Sequence, residues 1–196
     1  MTPTVSIVMA AKNYARFLAV AIDSAQAQTW TDWEMVIVDD GSTDATPEVV
    51  RPYLADQRIR YYRSDRLGQS RAKNLGIGLT RGEYIAYLDA DDAWLPTKLE
   101  RQLALFRNDS RVGVVFCGRK IIDEAGAEIP RAPEPAPPRG MVLEPLFLKN
   151  FVCFSSVVVR REVFDRVGRF DLGWDLAIDY AASRRTCTNL RQAQNE

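Results

Sequence analysis

The prediction of the fold starts from residues Glu83–Trp94, which have the sequence Glu-Tyr-Ile-Ala-Tyr-Leu-Asp-Ala-Asp-Asp-Ala-Trp. Its mostly apolar segment Tyr84–Leu88 predicts a buried strand, which ends at a turn that carries Asp89, Asp91 and Asp92. Carboxylates this close repel one another unless a cation or hydrogen-bond donors compensate their charge. Mg²⁺ and Mn²⁺ prefer oxygen ligands and leave coordination positions open for phosphate oxygens. The stretch therefore suggests a site for a metal and a diphosphate.

A second interpretation of the same turn is structural. Asp91 or Asp92 would then cap a helix that is predicted to begin at Pro96 and to run to Phe106. The Asp-x-Asp pattern is too short to separate the two interpretations by itself. For Asp92 the capping role is the one we predict.

Composition limits the class of protein. The 196 residues suit one domain of ordinary size, and 46% of them are hydrophobic, which is enough for a substantial core. Lys plus Arg and Asp plus Glu both number 26, and this balance argues against nucleic acid as a partner. The sequence contains no histidine, which excludes His-based catalytic triads and His-ligated zinc sites.

The cysteines and the apolar segments bear on the compartment. Cys117, Cys153 and Cys187 are widely spaced and form no CxxC pattern, so we predict free, mostly buried thiols in a reducing compartment. No signal-peptide pattern is visible, and no apolar stretch approaches the roughly 20 residues of a transmembrane helix. We therefore expect a cytoplasmic protein, with membrane association as an additional hypothesis.

Strands and helices are predicted to alternate along the chain. The predicted strands are Val5–Met9, Glu34–Val38, Arg58–Arg63, Tyr84–Leu88 and Val112–Cys117, and the predicted helices are Ala15–Gln28, Ser42 to about Leu54, Gly68–Leu79 and Pro96–Phe106. This order predicts an α/β fold, with a mostly parallel sheet, helices on both faces and Arg58–Arg63 near an edge. Ligands bind outside the carboxyl ends of such strands. The loop Ala10–Asn13, the pair Asp39-Asp40 and the turn Asp89–Asp92 should therefore face one crevice.

Five segments carry a resemblance to a known family: Val5–Asn13, Ala27–Trp30, Val36–Asp44, Arg71–Gly76 and Gly82–Trp94. Together they resemble the large inverting family 2 of nucleotide-sugar glycosyltransferases, which has the GT-A fold. The most specific pair is Val-Ile-Val-Asp-Asp-Gly-Ser-Thr-Asp and Arg-Gly-Glu-Tyr-Ile-Ala-Tyr-Leu-Asp-Ala-Asp-Asp. The resemblance implies one GT-A domain over residues 4–180, with a nucleotide-sugar-binding half (4–118), an incomplete acceptor-side half (119–180) and an atypical tail (181–196).

The resemblance implies a nucleotide-diphospho-sugar donor, with a UDP-sugar favoured, and direct displacement with inversion at the anomeric carbon. Carried over by position, the backbone of Ala10 and Ala11 would border the base. Asp40, together with Asp39, would accept hydrogen bonds from the base or the ribose. The structural alternative for Asp40 is a turn residue before Gly41.

Three further site residues follow from the resemblance. Arg71 would lie near the nucleotide, where a guanidinium can bind two oxygens, and Asp89 would contact the ribose or the donor sugar. Asp91 would bind Mn²⁺ or Mg²⁺, which bridges the diphosphate and neutralises charge on the departing nucleoside diphosphate. A solvated helix face is the structural alternative for Arg71.

The sequence departs from the family pattern at two of its site positions. Lys12 replaces an aromatic residue that commonly stacks on the base, so we expect altered base contacts or a phosphate contact instead. Asp179 occupies the position of the base that takes the proton of the acceptor hydroxyl. Its neighbour Ile178 replaces a Glu.

The second half is less informative. The proline-rich stretch Glu128–Gly140 predicts a loop that borders the acceptor or is a surface excursion, and Met141–Lys149 predicts a short amphipathic helix. Ser155–Arg169 predicts a strand and then a helix. Its basic residues predict a solvated helix face, with anionic-lipid contact as the less favoured interpretation.

The tail 181–196 contains one large apolar residue, Leu190, so it is predicted to bury no face. A frameshift or truncation near Tyr180 is one hypothesis for its composition.

Three functional hypotheses follow: a transferase acting on a glycan, lipid-linked or other acceptor; a nucleotide-sugar-binding remnant without turnover; and a different α/β nucleotide enzyme such as a nucleotidyltransferase. The lack of a Gly-rich, Lys-containing loop after the first strand argues against the third. The lack of Gln-x-x-Arg-Trp argues against a processive synthase.

Overall fold

A computed structural model describes residues 2–130, 140 and 150–172, together with the backbone of 191–195. The predicted helix Met141–Lys149 and the candidate base Asp179, with its neighbour Ile178, lie outside the described residues. Most of the predicted loop Glu128–Gly140 also lies outside them.

The described residues form strands β1 (Val5–Ala11), β2 (Trp33–Asp40), β3 (Ile59–Ser64), β4 (Tyr84–Tyr87), β5 (Val112–Cys117), β6 (Val158–Arg160) and β7 (Arg191–Asn195). The helices are α1 (Ala15–Gln26), α2 (Thr46–Val50), α3 (Gln69–Leu79), α4 (Lys98–Asn108) and α5 (Glu162–Val167), and 3₁₀ turns lie at Arg51–Ala55 and Phe154–Ser156. None of the helices in this part of the chain is both long and apolar enough to cross a bilayer.

The sheet has the strand order β3-β2-β1-β4-β6-β5-β7. Strands β3, β2, β1 and β4 are parallel, whereas β6 is antiparallel to both of its neighbours. The predicted α/β architecture is thereby confirmed, as is the edge-side position of the third strand. The insertion of β6 between β4 and β5 ties a late segment of the chain to the strand that precedes the acidic turn.

Helices cover both faces of the sheet. Two consecutive residues of β1 illustrate this, because their side chains point to opposite faces. Ile7 packs in one buried cluster with Ile22 of α1 and Leu99 of α4. Val8, the next residue, packs in a second cluster with Ile77 of α3. The fully apolar strand runs therefore reflect burial on two sides, as the sequence predicts.

Several predicted boundaries are wrong by a few residues. Strand β1 continues through Ala10 and Ala11, which were predicted in a loop, because it keeps pairing with β2 as far as Asp39. The helix predicted from Ser42 is a short α2 followed by a 3₁₀ turn. Pro52 lies in that turn and has no N–H with which to continue an α-helix. The first helix ends at Gln26, two residues before its predicted end at Gln28. The fourth helix begins at Lys98, two residues after its predicted start at Pro96.

The prediction of a solvated basic face is wrong for Arg160 and Arg161. The Arg160 side chain is only 14% exposed, and its guanidinium lies over the rings of Tyr84 and Phe106, at 5.2 and 5.3 Å from their centroids. Arg161 donates a hydrogen bond of 2.5 Å to the carbonyl of Gly82. Both residues join the second half of the chain to the β4 region.

Two smaller predictions concern the tail and the cysteines. Residues 191–195 of the tail form β7, which pairs with β5, and the prediction that the tail buries no face stays a prediction. An edge strand can pair through backbone groups and needs no apolar side chains for this. Cys117 and Cys153 are free and half-buried, which confirms the free thiols, while Cys187 lies outside the described residues.

Candidate active site

The carboxyl ends of β1, β2 and β4 meet at one edge of the sheet because these strands are parallel neighbours. Ala11 lies opposite Asp39, and the N–H of Leu88 donates to the carbonyl of Val8. The loop after β1, the carboxylates of β2 and the Asp89–Asp92 turn therefore converge at this edge, as predicted, and border the candidate crevice.

The loop between β1 and α1 is fixed by the loop that follows β2. Asn13 adopts the left-handed conformation with φ 61°, which turns the chain from the strand into the helix. Its N–H donates to Ser42 Oγ at 2.9 Å, and its Oδ1 accepts from the N–H of Thr43 at 2.8 Å. The N–H of Tyr14 donates to Thr46 Oγ1 at 3.1 Å. This side of the crevice is therefore held before any ligand arrives.

Asp39 is completely buried at the end of β2. One carboxylate oxygen accepts from the N–H of Ser42 at 2.8 Å, and the other accepts from the Tyr61 hydroxyl. Burial, reinforced by this contact with Asp39, raises the pKa of Tyr61 well above its usual range. The role of Asp39 toward the base or ribose stays a prediction.

Asp40 holds the loop that leads into α3. Its Oδ1 accepts from the N–H of Leu67 at 2.5 Å and from Ser64 Oγ at 3.1 Å, and its Oδ2 accepts from the N–H of Gly68 at 3.0 Å. Gly68 has φ 85°, a conformation that other residues rarely adopt. Asp40 is thus the last residue of β2 and holds the loop before α3, rather than acting as a turn residue before Gly41, and its direct contact with the nucleotide stays a prediction.

The acidic turn is closed by a hydrogen bond of 3.1 Å from the N–H of Asp92 to the carbonyl of Asp89. Asp92 Oδ2 accepts from Ser155 Oγ at 2.5 Å, and burial, together with the charges of Asp89 and Asp91, raises the pKa of Asp92. The predicted capping role of Asp92 is wrong, since Thr97 occupies the N-cap of α4 and the Asp92 side chain is engaged elsewhere.

Asp91 differs from its two acidic neighbours. Its side chain is exposed, and no residue in the described part of the chain forms a hydrogen bond or an ion pair with it. Its carboxylate therefore remains open to a ligand.

Lys73 is the functional candidate that the sequence analysis missed. Its side chain is 8% exposed, and its Nζ lies 3.2 Å from Asp89 Oδ1 and 3.6 Å from the centre of the Phe154 ring. A signal was present, since Lys73 lies on α3 between Ala72 and Gly76, both buried positions of that helix. Arg71, predicted near the nucleotide, is exposed at the start of α3 and donates a long hydrogen bond of 3.4 Å to the carbonyl of Leu67.

Tyr14 brings an aromatic side chain to the same edge. Burial raises the pKa of its hydroxyl, and the charges of Asp91, Asp89 and Asp92 raise it further, in that order. Among the described residues, no acceptor or donor forms a hydrogen bond with this hydroxyl. Two positions before it, Lys12 is exposed.

The open carboxylate of Asp91 is an oxygen ligand of the kind that a hard divalent ion prefers. In the described part of the chain, no three or more His, Cys, Asp or Glu side chains are grouped so as to hold a metal ion on their own. Asp91 would supply one such ligand, and phosphate oxygens and water would complete the coordination of Mg²⁺ or Mn²⁺.

Comparison with solved structures confirms the GT-A fold. The Staphylococcus aureus TarS structure in complex with UDP superposes with a TM-score of 0.79, at 16% sequence identity, over 99% of this chain and 60% of that one. The mannosyltransferase PcManGT of Pyrobaculum calidifontis, in complex with GDP-Man and Mn²⁺, gives a TM-score of 0.75 at 21% identity, over 99% of this chain and 55% of that one.

Sequence comparison identifies the family. A glycosyltransferase of Nostoc sp. described as uncharacterised is 38% identical over 174 residues, and the succinoglycan biosynthesis protein ExoO of Rhizobium meliloti is 36% identical over 188 residues. These matches cover 85% and 91% of this chain, which spans 54% of the length of each relative. The family model described as Glycosyl transferase family 2 matches residues 6–168. The chain therefore belongs to glycosyl transferase family 2, as the sequence motifs predict.

Proposed function

We propose that this chain is the catalytic domain of an inverting glycosyltransferase that moves a sugar from a nucleotide-diphosphate donor to a glycan, lipid-linked or other acceptor. The observation that carries the proposal is the convergence of an open carboxylate, Asp91, with the buried Asp39 and the cation Lys73 at one sheet edge. This arrangement combines a position for a divalent ion with polar groups suited to a nucleotide.

The neighbouring structures narrow the donor to a class. TarS has been solved with UDP and with UDP-GlcNAc, and PcManGT with GDP-Man and Mn²⁺. A nucleotide-sugar with a divalent ion therefore suits this fold with either base, and a UDP-sugar is the donor that we favour. ExoO is a succinoglycan biosynthesis protein, and this similarity supports a role of this chain in polysaccharide assembly.

Each candidate site residue would have a distinct role. Asp91 would hold Mn²⁺ or Mg²⁺, which when bound supplies neutralisation of the charge on the departing nucleoside diphosphate. The backbone of Ala10 and Ala11, with Asp39, would border the base. Lys73 fixes the Asp89 carboxylate, which would accept hydrogen bonds from the ribose or the sugar. Asp179 would take the proton of the attacking acceptor hydroxyl.

Thermal unfolding with UDP-, GDP-, dTDP- and CDP-linked sugars, each with Mn²⁺ and with a chelator, tests this proposal. A ligand at about one hundred times its dissociation constant stabilises the native state by about 2.7 kcal/mol, a shift that is easily measured. We expect one nucleotide to stabilise the protein only when Mn²⁺ is present. Asp91→Asn should abolish that shift, whereas Asp165→Asn, which changes an exposed carboxylate on α5, should keep it. A cooperative transition without any shift would refute the proposal.

A second candidate, a nucleotide-sugar-binding protein without turnover, is favoured by Lys12 and by Ile178 beside the candidate base. The two candidates differ in the release of nucleoside diphosphate, which can be measured in the presence of extracts of lipid-linked and polysaccharide acceptors. Donor binding with no release above the hydrolysis background would support the second candidate.

A further inference from the structure

The side chain of Ser155 bridges the two ends of the acidic turn. Its Oγ accepts a hydrogen bond of 2.9 Å from the N–H of Asp89 and donates one of 2.5 Å to Asp92 Oδ2. Ser155 is 5% exposed and lies in the 3₁₀ turn Phe154–Ser156, which precedes β6. A single hydroxyl from a distant part of the chain therefore satisfies both a backbone donor and a carboxylate of this turn.

The 3₁₀ turn is itself held in place from two directions. Trp94 Nε1 donates a hydrogen bond of 2.7 Å to the carbonyl of Ser155. The side chain of Gln102, on α4, donates one of 2.8 Å to the carbonyl of Ser156 and accepts one of 2.8 Å from Lys98 Nζ. Each of these side chains is buried, so competition from water is small. The position of the Ser155 hydroxyl is thus set by the core.

We propose that Ser155 is a positioning residue that assigns the carboxylates of the acidic turn to different tasks. Its hydroxyl directs Asp92 inward and fixes the backbone at Asp89, so that Asp91, between them, presents the open carboxylate at a defined place. The inference rests on the proposed function, because the value of this order is to prepare the turn for a divalent ion with a nucleoside diphosphate. Ordering the turn before binding removes a cost that the ligand would otherwise bear.

Ser155→Ala tests the proposal, and Ser156→Ala is its matched control. Ser156 is equally buried, but its hydroxyl donates to the carbonyl of Cys153 at 2.6 Å and has no hydrogen bond to the acidic turn. The electron paramagnetic resonance signal of free Mn²⁺ reports Mn²⁺ binding in the presence and absence of UDP or GDP. We expect Ser155→Ala to weaken Mn²⁺ binding about tenfold with or without nucleotide, as loss of an outer-shell partner does.

The control separates positioning from general damage. Ser156→Ala should bind Mn²⁺ like the wild type, with and without nucleotide. Unchanged Mn²⁺ binding in Ser155→Ala, or an equal loss in Ser156→Ala, would overturn the proposal.

A second measurement needs no ligand. Hydrogen exchange of the Asp89 amide, followed by nuclear magnetic resonance, should become at least about tenfold faster in Ser155→Ala, because its acceptor is lost, and should stay at the wild-type rate in Ser156→Ala. Unchanged exchange in Ser155→Ala would contradict the positioning role. If Mn²⁺ binding by the wild type responds to neither nucleotide, the proposed function fails, and the exchange rates still decide whether Ser155 orders the turn.

Discussion

Replacing Lys73 by methionine should have opposite effects on two kinds of binding. Lys73 Nζ lies 3.2 Å from Asp89 Oδ1 and faces the Phe154 ring, while its side chain is 8% exposed and that of Asp89 is 34% exposed. Methionine keeps most of the apolar stem in the core but removes the positive charge. The acidic turn then gains one net negative charge without a change in its own sequence.

The cost in stability follows from this partial burial. Exposed ion pairs contribute about 0–1 kcal/mol, whereas removal of one partner from a buried pair costs about 3–5 kcal/mol. Because the carboxylate of Asp89 still reaches water, we expect Lys73→Met to cost about 2 kcal/mol, including the contact with Phe154. A loss of 1 kcal/mol lowers the Tm of a chain of this size by about 2–4 °C, so the expected decrease is about 4–8 °C.

The effects on binding have opposite signs. A unit charge and a divalent ion about 7 Å apart interact by about 1.2 kcal/mol in a water-like dielectric, which corresponds to about sevenfold in affinity. Mn²⁺ alone should therefore bind Lys73→Met more tightly by roughly this factor. Mn²⁺ with UDP should bind more weakly by about threefold, because that pair carries about one net negative charge and its interaction with Lys73 is half as large. Titration of Mn²⁺ with and without UDP measures both, and Lys73→Arg, which keeps the charge, is the control. A change of both affinities in the same direction would refute this account of Lys73.

Three further predictions concern other side chains. Tyr14→Phe should weaken UDP binding in the presence of Mn²⁺ by about threefold to tenfold, which corresponds to one hydrogen bond, and should leave the Tm unchanged. Isothermal titration calorimetry measures the affinity for UDP. Glu34→Gln should cost about 3 kcal/mol in urea unfolding, since this 4%-exposed carboxylate accepts from Arg81 and Ser6. Although burial opposes it, these bonds lower the pKa of Glu34, so stability is lost as the pH falls from about 4.3 toward the native value, and the variant should show a flatter acid limb. Burial lowers the pKa of Lys98 to about 8, so Lys98→Met should gain stability relative to the wild type at pH 7 and lose that advantage as the pH rises through 8 toward 10; a constant difference between the two proteins would contradict this.

The sheet could be predicted from the sequence because its strands are continuous apolar runs. The same rule fails at the ends of these runs, where Asp39 and Asp40 extend β2 although they are charged. Their carboxylates accept hydrogen bonds from the Ser42 and Leu67 amides, among others, so the side chains tolerate burial in a strand. These hydrogen-bond donors lie on loops that fold against the strand. The hydrophobic pattern of the strand segment alone therefore cannot predict that Asp39 and Asp40 belong to it.

The candidate site was predictable only in part, for a related reason. Asp39, Asp40 and Asp91 lie within short motifs, so their placement at one edge follows from strand order. Lys73 contacts a carboxylate 16 residues away, and Ser155 bonds an amide 66 residues away. The contact of Ser155 depends on the insertion of β6 beside β4, which the order of elements along the chain does not reveal.

The carboxylates at this edge differ in how completely the protein compensates their charge. Asp40 accepts three hydrogen bonds, Asp39 accepts two, Asp92 is bonded to Ser155, and Asp89 is paired with Lys73. Among the described residues nothing compensates Asp91. Because clustered carboxylates repel one another, a cation bound at Asp91 would lower the repulsion within the turn. Under the proposed function, the order within the turn would thus favour a cation at Asp91.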